Sequence, residues 1–125
     1  MQMSSEDINK GRWALYLTGF TRRNHDRPIR IEVLEPEVGL REVQKHLTLI
    51  GVSLEDLPPK KPDLKIRLGG RRKQDKWHFD YSIGKLQRIM PIVGQSDLED
   101  GIGIVSVDGT LTLLMFEDIH RPSSL

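Results

Sequence analysis

The stretch IVSVDGTLTLLMF, Ile104–Phe116, decides the predicted fold because it contains the clearest local signal in the chain. Asp108 and Gly109 lie between two runs rich in apolar and β-branched residues. Asp-Gly is favoured at the two central positions of a type I′ turn, both of which need a positive φ. The stretch therefore predicts a β-hairpin with strands at Ile104–Val107 and Thr110–Phe116.

Alternation of apolar and polar residues predicts a second hairpin upstream. Leu64–Leu68 and Trp77–Ile83 alternate on either side of a polar loop that contains Gly69 and Gly70. A further candidate strand is Leu86–Val93, in which Pro91 favours a sheet edge or a strand end because proline lacks a ladder donor.

The first half of the chain adds two more segments with strand character. Pro28–Val33 alternates with a period of two, as in a half-buried strand. Leu40–Val52 fits either a helix or a strand, and we favour the strand. Three prolines between Leu57 and Asp63 mark a surface connection that divides the chain into halves without dividing domains.

The N-terminal region carries the helical signal. Trp13, Tyr16, Leu17 and Phe20 follow the i, i+3, i+4, i+7 spacing that places large apolar groups on one helix face. A weak capping box, Ser4 followed by Asp7, predicts a start near residue 7. We expect a helix over about residues 7–21, a β-rich part over about 28–117 and a frayed tail over 118–125.

These segments predict a single α+β domain over residues 1–125. Six or seven short antiparallel strands form a sheet whose apolar face is too large to remain exposed to water. We therefore expect an N-terminal amphipathic helix packed on a small, strongly bent antiparallel β-sheet or partly open barrel, with the aromatic stripe plugging one end or face.

The order of these pieces resembles a small, uncharacterised bacterial domain family of unknown function. The resemblance covers roughly residues 8–117 and depends on order and spacing. It is carried by the W..YL..F helix, the Ile31–Val33 strand end, the Leu49–Ser53 segment around Gly51, His78 and the Asp108–Thr110 turn. The resemblance implies a stand-alone bacterial protein and an α+β fold. It implies no catalytic residue, because no activity is established for that family.

Composition limits the classes of function. The 125 residues are 37% hydrophobic and 30% charged, with a net charge of +1 and no cysteine. The absence of cysteine excludes a disulfide framework, a thiolate zinc site and a cysteine nucleophile. The near-zero net charge removes the strong global field that would indicate nucleic acid or an acidic membrane. No stretch resembles a signal peptide or a membrane span, so we expect a cytoplasmic protein without a membrane partner.

A local basic run is the strongest compositional feature. Lys60–Lys76 holds eight Lys and Arg against two Asp, a local charge of +6, and Trp77, Phe79 and Tyr81 follow it. Binding of single-stranded nucleic acid requires cations that contact the phosphates and, beside them, aromatic rings on which the bases stack. The three rings share a strand face with Ile83, which is the ordinary pattern of core packing. We favour this interpretation. The candidate nucleic-acid or anion contacts are Arg71, Arg72, Lys73, Lys76 and His78.

The other end of the chain is acidic, with six Asp and Glu and no Lys or Arg over residues 96–119. A basic and an acidic segment on one small domain could join copies head to tail, or could neutralise each other within one molecule. Four basic residues, Arg22, Arg23, Arg27 and Arg30, form a second cluster near the end of the predicted helix, where cations suit the helix dipole.

The sequence assigns no catalytic residue, cofactor or metal. The histidines show no i, i+3 or i, i+4 pairing, and no phosphate-loop or nucleophile-elbow motif occurs. His78, with Asp80 two residues on, most simply belongs to a solvent-facing polar row. Our first hypothesis is a non-enzymatic interaction module that self-associates as a homo-oligomer. The alternatives are a single-stranded nucleic-acid (RNA) binding small β-barrel and a small-molecule-binding domain with a pocket between helix and sheet.

Overall fold

The computed structural model describes residues 2–3, 7–55, 62–70, 76–94 and 99–118. Within these ranges the chain forms a short 3-10 turn, Lys10–Arg12, one α-helix and eight strands. Helix α1 is Trp13–Asn24. The strands are β1 Gln2–Met3, β2 Pro28–Glu35, β3 Gly39–Glu55, β4 Asp63–Gly69, β5 His78–Ile83, β6 Leu86–Val93, β7 Glu99–Ser106 and β8 Leu111–Phe116.

All eight strands form one antiparallel sheet in the order β1-β6-β7-β8-β2-β3-β4-β5. The 17-residue β3 pairs with β2 through its first part and with β4 through its second, and its register shifts in both pairings. Such irregularities bend a strand, so β3 carries the sheet around a corner. Only Gly84 and Lys85 separate β5 from β6. The predicted α+β fold with a strongly bent sheet is confirmed as a half-barrel.

The predicted aromatic stripe is confirmed as the centre of the core. Trp13, Leu17 and Phe20 are buried, and the ring of Phe20 stacks on Phe116 with centroids 5.6 Å apart. Tyr16 is half-buried at the edge of the same cluster. Burying each such side chain contributes roughly 1.5–3 kcal/mol, which offsets the poor intrinsic helix propensity of the aromatic residues and Gly19.

The helix starts later than predicted and ends later. It begins at Trp13 after the 3-10 turn because the preceding residues make contacts with the sheet instead. Ile8 N donates to Ile89 O over 2.9 Å, and the carboxylate of Asp7 binds Arg88. The predicted capping box is therefore wrong for Asp7, and Ser4 lies outside the described residues.

Helix α1 lies beside the second part of β3, in the position that β2 occupies beside the first part. Past Thr48, β3 no longer pairs with β2. There Thr21 Oγ1 accepts from Val52 N over 2.9 Å and donates to Val52 O over 3.2 Å. A Cβ on Gly51 would lie 3.2 Å from Thr21 Cγ2, so the missing side chain allows this close approach. The helix has 12 residues, and none in the described part of the chain could cross a membrane.

The predicted hairpins are present, with one error of turn type. β4 pairs with β5, and β7 pairs with β8 around Asp108 and Gly109. Only Gly109 has a positive φ, +89°, so the turn is not type I′. Gly109 N donates to Ser106 O, and Asp108 Oδ1 accepts from Thr110 N over 2.9 Å. The loop is longer than a two-residue type I′ turn and ends in a glycine with a left-handed backbone. These hydrogen bonds satisfy the backbone groups that a type I′ turn would otherwise satisfy.

Other predicted boundaries are confirmed or shift by a few residues. The ambiguous Leu40–Val52 stretch is strand, within β3. β7 begins at Glu99, five residues before the predicted strand start at Ile104. Asp118, placed in the frayed tail, binds Arg27, whereas residues 119–125 lie outside the described part of the chain.

Candidate interaction surface

Strand β5 ends the sheet and offers a regular edge, which we call the free edge. All six residues of His78–Ile83 pair with β4 in unbroken register from Gly69 to Leu64. No strand among the described residues pairs with the other side of β5. Edge strands expose a row of unpaired N–H and C=O groups, which makes them templates for pairing with another chain.

The three rings before and within β5 differ in burial. Phe79 and Tyr81 are half-buried and pack against the core. Trp77 is 51% exposed and stacks on Phe79, with centroids 6.1 Å apart and ring planes 11° apart. The favoured interpretation of the rings as core is therefore wrong for Trp77. It lies beyond the last β4–β5 pair, Gly69 with His78, and the next residue after β4 is Gly70, which provides no side chain to cover it.

The candidate cations fall into two groups. Arg71, Arg72 and Lys73 lie outside the described residues. Lys76 and His78 are described and exposed, and His78 is the first residue of β5. The structure thus places two of the five predicted contact residues beside Trp77, at the start of the free edge.

Cations on β4 are paired with carboxylates on the face opposite to the rings. Arg67 Nε donates to Asp80 Oδ1 over 2.9 Å, and Lys65 binds Glu55. The hydrogen bond from Arg67 holds the pKa of Asp80 below its ordinary value. Because successive strand residues point to opposite faces, Arg67 and Asp80 cannot share a surface with Phe79. A base stacked on the rings would lie away from these charges.

The acidic end of the chain is neutralised by the second basic cluster. Arg23 binds Glu99, and Arg27 Nη2 donates to Asp118 Oδ1 over 2.7 Å. The Arg27 guanidinium also lies 3.8 Å from the centroid of Phe116. These pairs support neutralisation within one molecule. They leave fewer carboxylates for a head-to-tail contact with the basic segment of another copy.

The opposite edge of the sheet, at β6, is covered by the chain itself, and we call it the covered edge. β1 pairs with Ile92 and Val93, and Ile8 bonds to Ile89 further along. Trp13 Nε1 donates to Ile8 O over 3.0 Å, which ties this cover to the buried helix. The guanidinium of Arg88 binds both carboxylate oxygens of Asp7 and holds the pKa of Asp7 below its ordinary value.

The space between helix and sheet is filled by side chains. Leu17, Phe20, Ile29 and Phe116 are all 1% exposed or less and belong to one core cluster. The cleft that helix α1 and the sheet do form lies outside this core cluster, has a volume of about 500 Å³ and is lined by Thr18, Thr21, Gly51 and Lys65, among others. Among the described residues, no three His, Asp or Glu side chains cluster in a way that could hold a metal ion.

Comparison of the chain with protein-family models, with curated proteins and with solved structures finds no match. Function is therefore inferred from the surface of the molecule itself. The free edge, with its exposed ring pair, is the feature that the rest of the described fold does not use.

Proposed function

We propose that this protein is a cytoplasmic, non-enzymatic interaction module that binds a second copy of itself through the free edge of β5. The observation that carries the proposal is the exposed Trp77–Phe79 stack beside six residues of unbroken strand register. An edge of this kind gives main-chain hydrogen bonds for affinity and side chains for specificity.

Within the described part of the chain, the free edge lacks most of the devices that block strand pairing. Proteins protect edge strands with Lys, Pro, bulges or a covering segment. β5 contains no Lys or Pro, and its pairing with β4 has no bulge. The exposed part of the Trp77 ring adds apolar area that is removed from water on association, worth roughly 25 cal/mol per Å². These properties favour association over a solitary edge.

A second copy can pair antiparallel about a two-fold axis, which makes the contact self-complementary. Placing Phe79 on the axis sets Trp77 opposite Tyr81 of the second copy, and His78 opposite its Asp80. Both pairs are favourable across strands. An axis at Asp80 would instead oppose two carboxylates. An axis at Tyr81 would shift the contact toward Ile83, where β6 follows after two residues.

The test measures the oligomeric state of the whole chain by sedimentation velocity over a wide range of protein concentration. We expect a concentration-dependent dimer that Trp77→Lys converts to monomer. Leu15→Lys is the matched control, because Leu15 is an exposed apolar residue on helix α1 with 74% exposure. A wild-type chain that stays monomeric at all concentrations contradicts the proposal, as does an equal loss in the control.

A charge exchange tests the register. His78→Asp sets like charges opposite one another in both pairs and should weaken the dimer. Asp80→His combined with it restores opposite charges and should recover association below pH 6, where histidine carries its proton. Failure of the double variant to recover association would exclude the Phe79-centred register but not the edge contact.

Single-stranded nucleic acid remains the alternative occupant, with Arg71, Arg72, Lys73 and Lys76 as its contacts. It requires retention on RNA or heparin that weakens steeply with salt, because phosphate contacts release counterions. Salt-sensitive retention that Trp77→Ala abolishes, together with a monomeric protein, would replace the self-association proposal with this one.

A further inference from the structure

A cleft of about 560 Å³ opens at one end of the half-barrel, and we call it the barrel mouth. Its wall includes Val33 and Glu35 from the end of β2 and Thr112 from the start of β8. The opposite ends of the same strands, at Ile29 and Phe116, lie in the core with Phe20. The volume falls within the roughly 300–1,000 Å³ typical of ligand sites, which favour the mouths of β-barrels.

The floor of the barrel mouth combines apolar groups with hydroxyls. Val33 and Ile83 are 3% and 6% exposed, and Tyr81 lies half-buried beside them. Ser106 and Thr112 are also buried and line the cleft. Burial raises the pKa of the Tyr81 phenol, so it keeps its proton and can donate a hydrogen bond at neutral pH.

The rim of the barrel mouth carries two cations and two carboxylates. Arg41 donates to Glu35 Oε1 twice, through Nε over 3.1 Å and Nη2 over 2.6 Å. Both bonds end on one oxygen, so Oε2 keeps acceptor capacity. Lys85 and Asp108 lie in the same lining, and Asp108 uses Oδ1 to accept from Thr110 N. The rim therefore offers both donors and acceptors with no net charge.

This lining selects against two classes of ligand. A charged ligand would lose its hydration without a net opposite charge to replace it. A purely apolar ligand would displace water from Glu35 Oε2 and from the polar lining without replacing its hydrogen bonds, which is costly. A ligand that suits the barrel mouth has an apolar face for Val33 and Tyr81 and several uncharged polar groups.

We propose that the barrel mouth binds an uncharged polyhydroxylated molecule of the size of a monosaccharide or disaccharide. The C–H face of the sugar packs on the Tyr81 ring and Val33. Its hydroxyls donate to Glu35 and accept from Arg41, and they exchange hydrogen bonds with the buried Thr112 hydroxyl. The charged and hydroxyl groups named here, Glu35, Arg41 and Thr112, lie on β2, β3 and β8, whereas the Tyr81 ring lies on β5 and is shared with the free edge.

The test is an NMR titration of the ¹⁵N-labelled chain with four neutral sugars: glucose, galactose, mannose and N-acetylglucosamine. We expect at least one sugar to shift amides of the barrel mouth, among them Thr110 and Thr112, and to leave those of helix α1 unchanged. Gluconate, glucosamine and cyclohexanol serve as an anionic, a cationic and an apolar probe, and each should shift the same amides less.

Two variants locate the response. Arg41→Met removes the exposed guanidinium and Thr112→Val removes the buried hydroxyl at nearly constant shape, and each should weaken sugar binding at least several-fold. Val38→Ser, in the exposed turn between β2 and β3, should leave it unchanged. No response to any of the four sugars overturns the proposal, as does an equal or stronger response to gluconate, glucosamine or cyclohexanol.

Discussion

The two edges of the sheet differ in how far the rest of the chain covers them. At the covered edge, β6 contains Pro91, shifts register against β7 at both ends and carries β1 and Ile8 on its outer side. Among the described residues, β5 at the free edge has none of these features. Exposed regular edges promote pairing between chains, and on this difference rests our proposal that one edge is protected and the other is used.

A tryptophan lies at each edge and makes the contrast measurable. Trp13 is 4% exposed and donates its indole N–H to Ile8 O, so it joins the cover of β6 to the core. Trp77 is 51% exposed and contacts the Phe79 ring. One ring serves stability, and the other serves association in our proposal.

The largest expected effect comes from exchanging these tryptophans for alanine. Trp13→Ala creates a cavity and should lower the free energy of unfolding by about 3–5 kcal/mol. Trp77→Ala should change it by less than about 0.5 kcal/mol at concentrations where the chain is monomeric. Urea unfolding of both variants measures the difference, and comparable losses would remove the distinction between the edges.

A smaller effect should follow from uncovering β6. Ile8→Pro deletes the N–H that donates to Ile89 O, leaving a carbonyl without its partner at a cost of about 1–3 kcal/mol. With β6 uncovered around Ile89, this edge can pair with the free edge of another copy, so species larger than a dimer should form. Sedimentation velocity would detect them, with Ile8→Val as the control that keeps the amide. A variant that stays dimeric would show that the segment does not protect the edge.

The smallest expected effect is electrostatic. Asp7 and Asp80 have pKa values below the ordinary 3.8 because Arg88 and Arg67 donate hydrogen bonds to them. A lowered pKa in the folded state means that each pair stabilises the fold above pH 3.8 and loses this contribution as the pH falls through the lowered value. NMR titration of the carboxyl groups should show both values rising toward 3.8 in Arg88→Gln and Arg67→Gln, respectively. Unchanged values would contradict these pairs.

Most of the fold is predictable from local pattern. The stripe of Trp13, Leu17 and Phe20 and the alternation in β2, β4 and β5 report burial directly, because each period matches one face of an element. The Asp108–Gly109 signal locates the hairpin correctly but not its turn type, since the Asp108 side chain and Gly109 alone also satisfy the backbone. Long-range pairing is beyond such patterns, which is why the helix begins later than its pattern predicts.

The candidate surface could be predicted only in part. Alternation places Trp77 with Phe79 and Tyr81, but exposure depends on what lies opposite, and here β4 ends at Gly69 and is followed by Gly70. Those two glycines were a usable signal. The position of β5 at the end of the sheet could not be read from its residues, because it depends on strand order across the whole chain. The barrel mouth, assembled from distant strand ends, was missed for the same reason.

Hydrogen exchange of backbone amides at low and high protein concentration tests the use of the free edge most directly. Raising the concentration should protect amides of β5 around Phe79 that point away from β4, while amides of β6 such as Ile89 keep the same protection. Equal protection of β5 at every concentration, or a concentration-dependent change confined to other strands, would contradict the account.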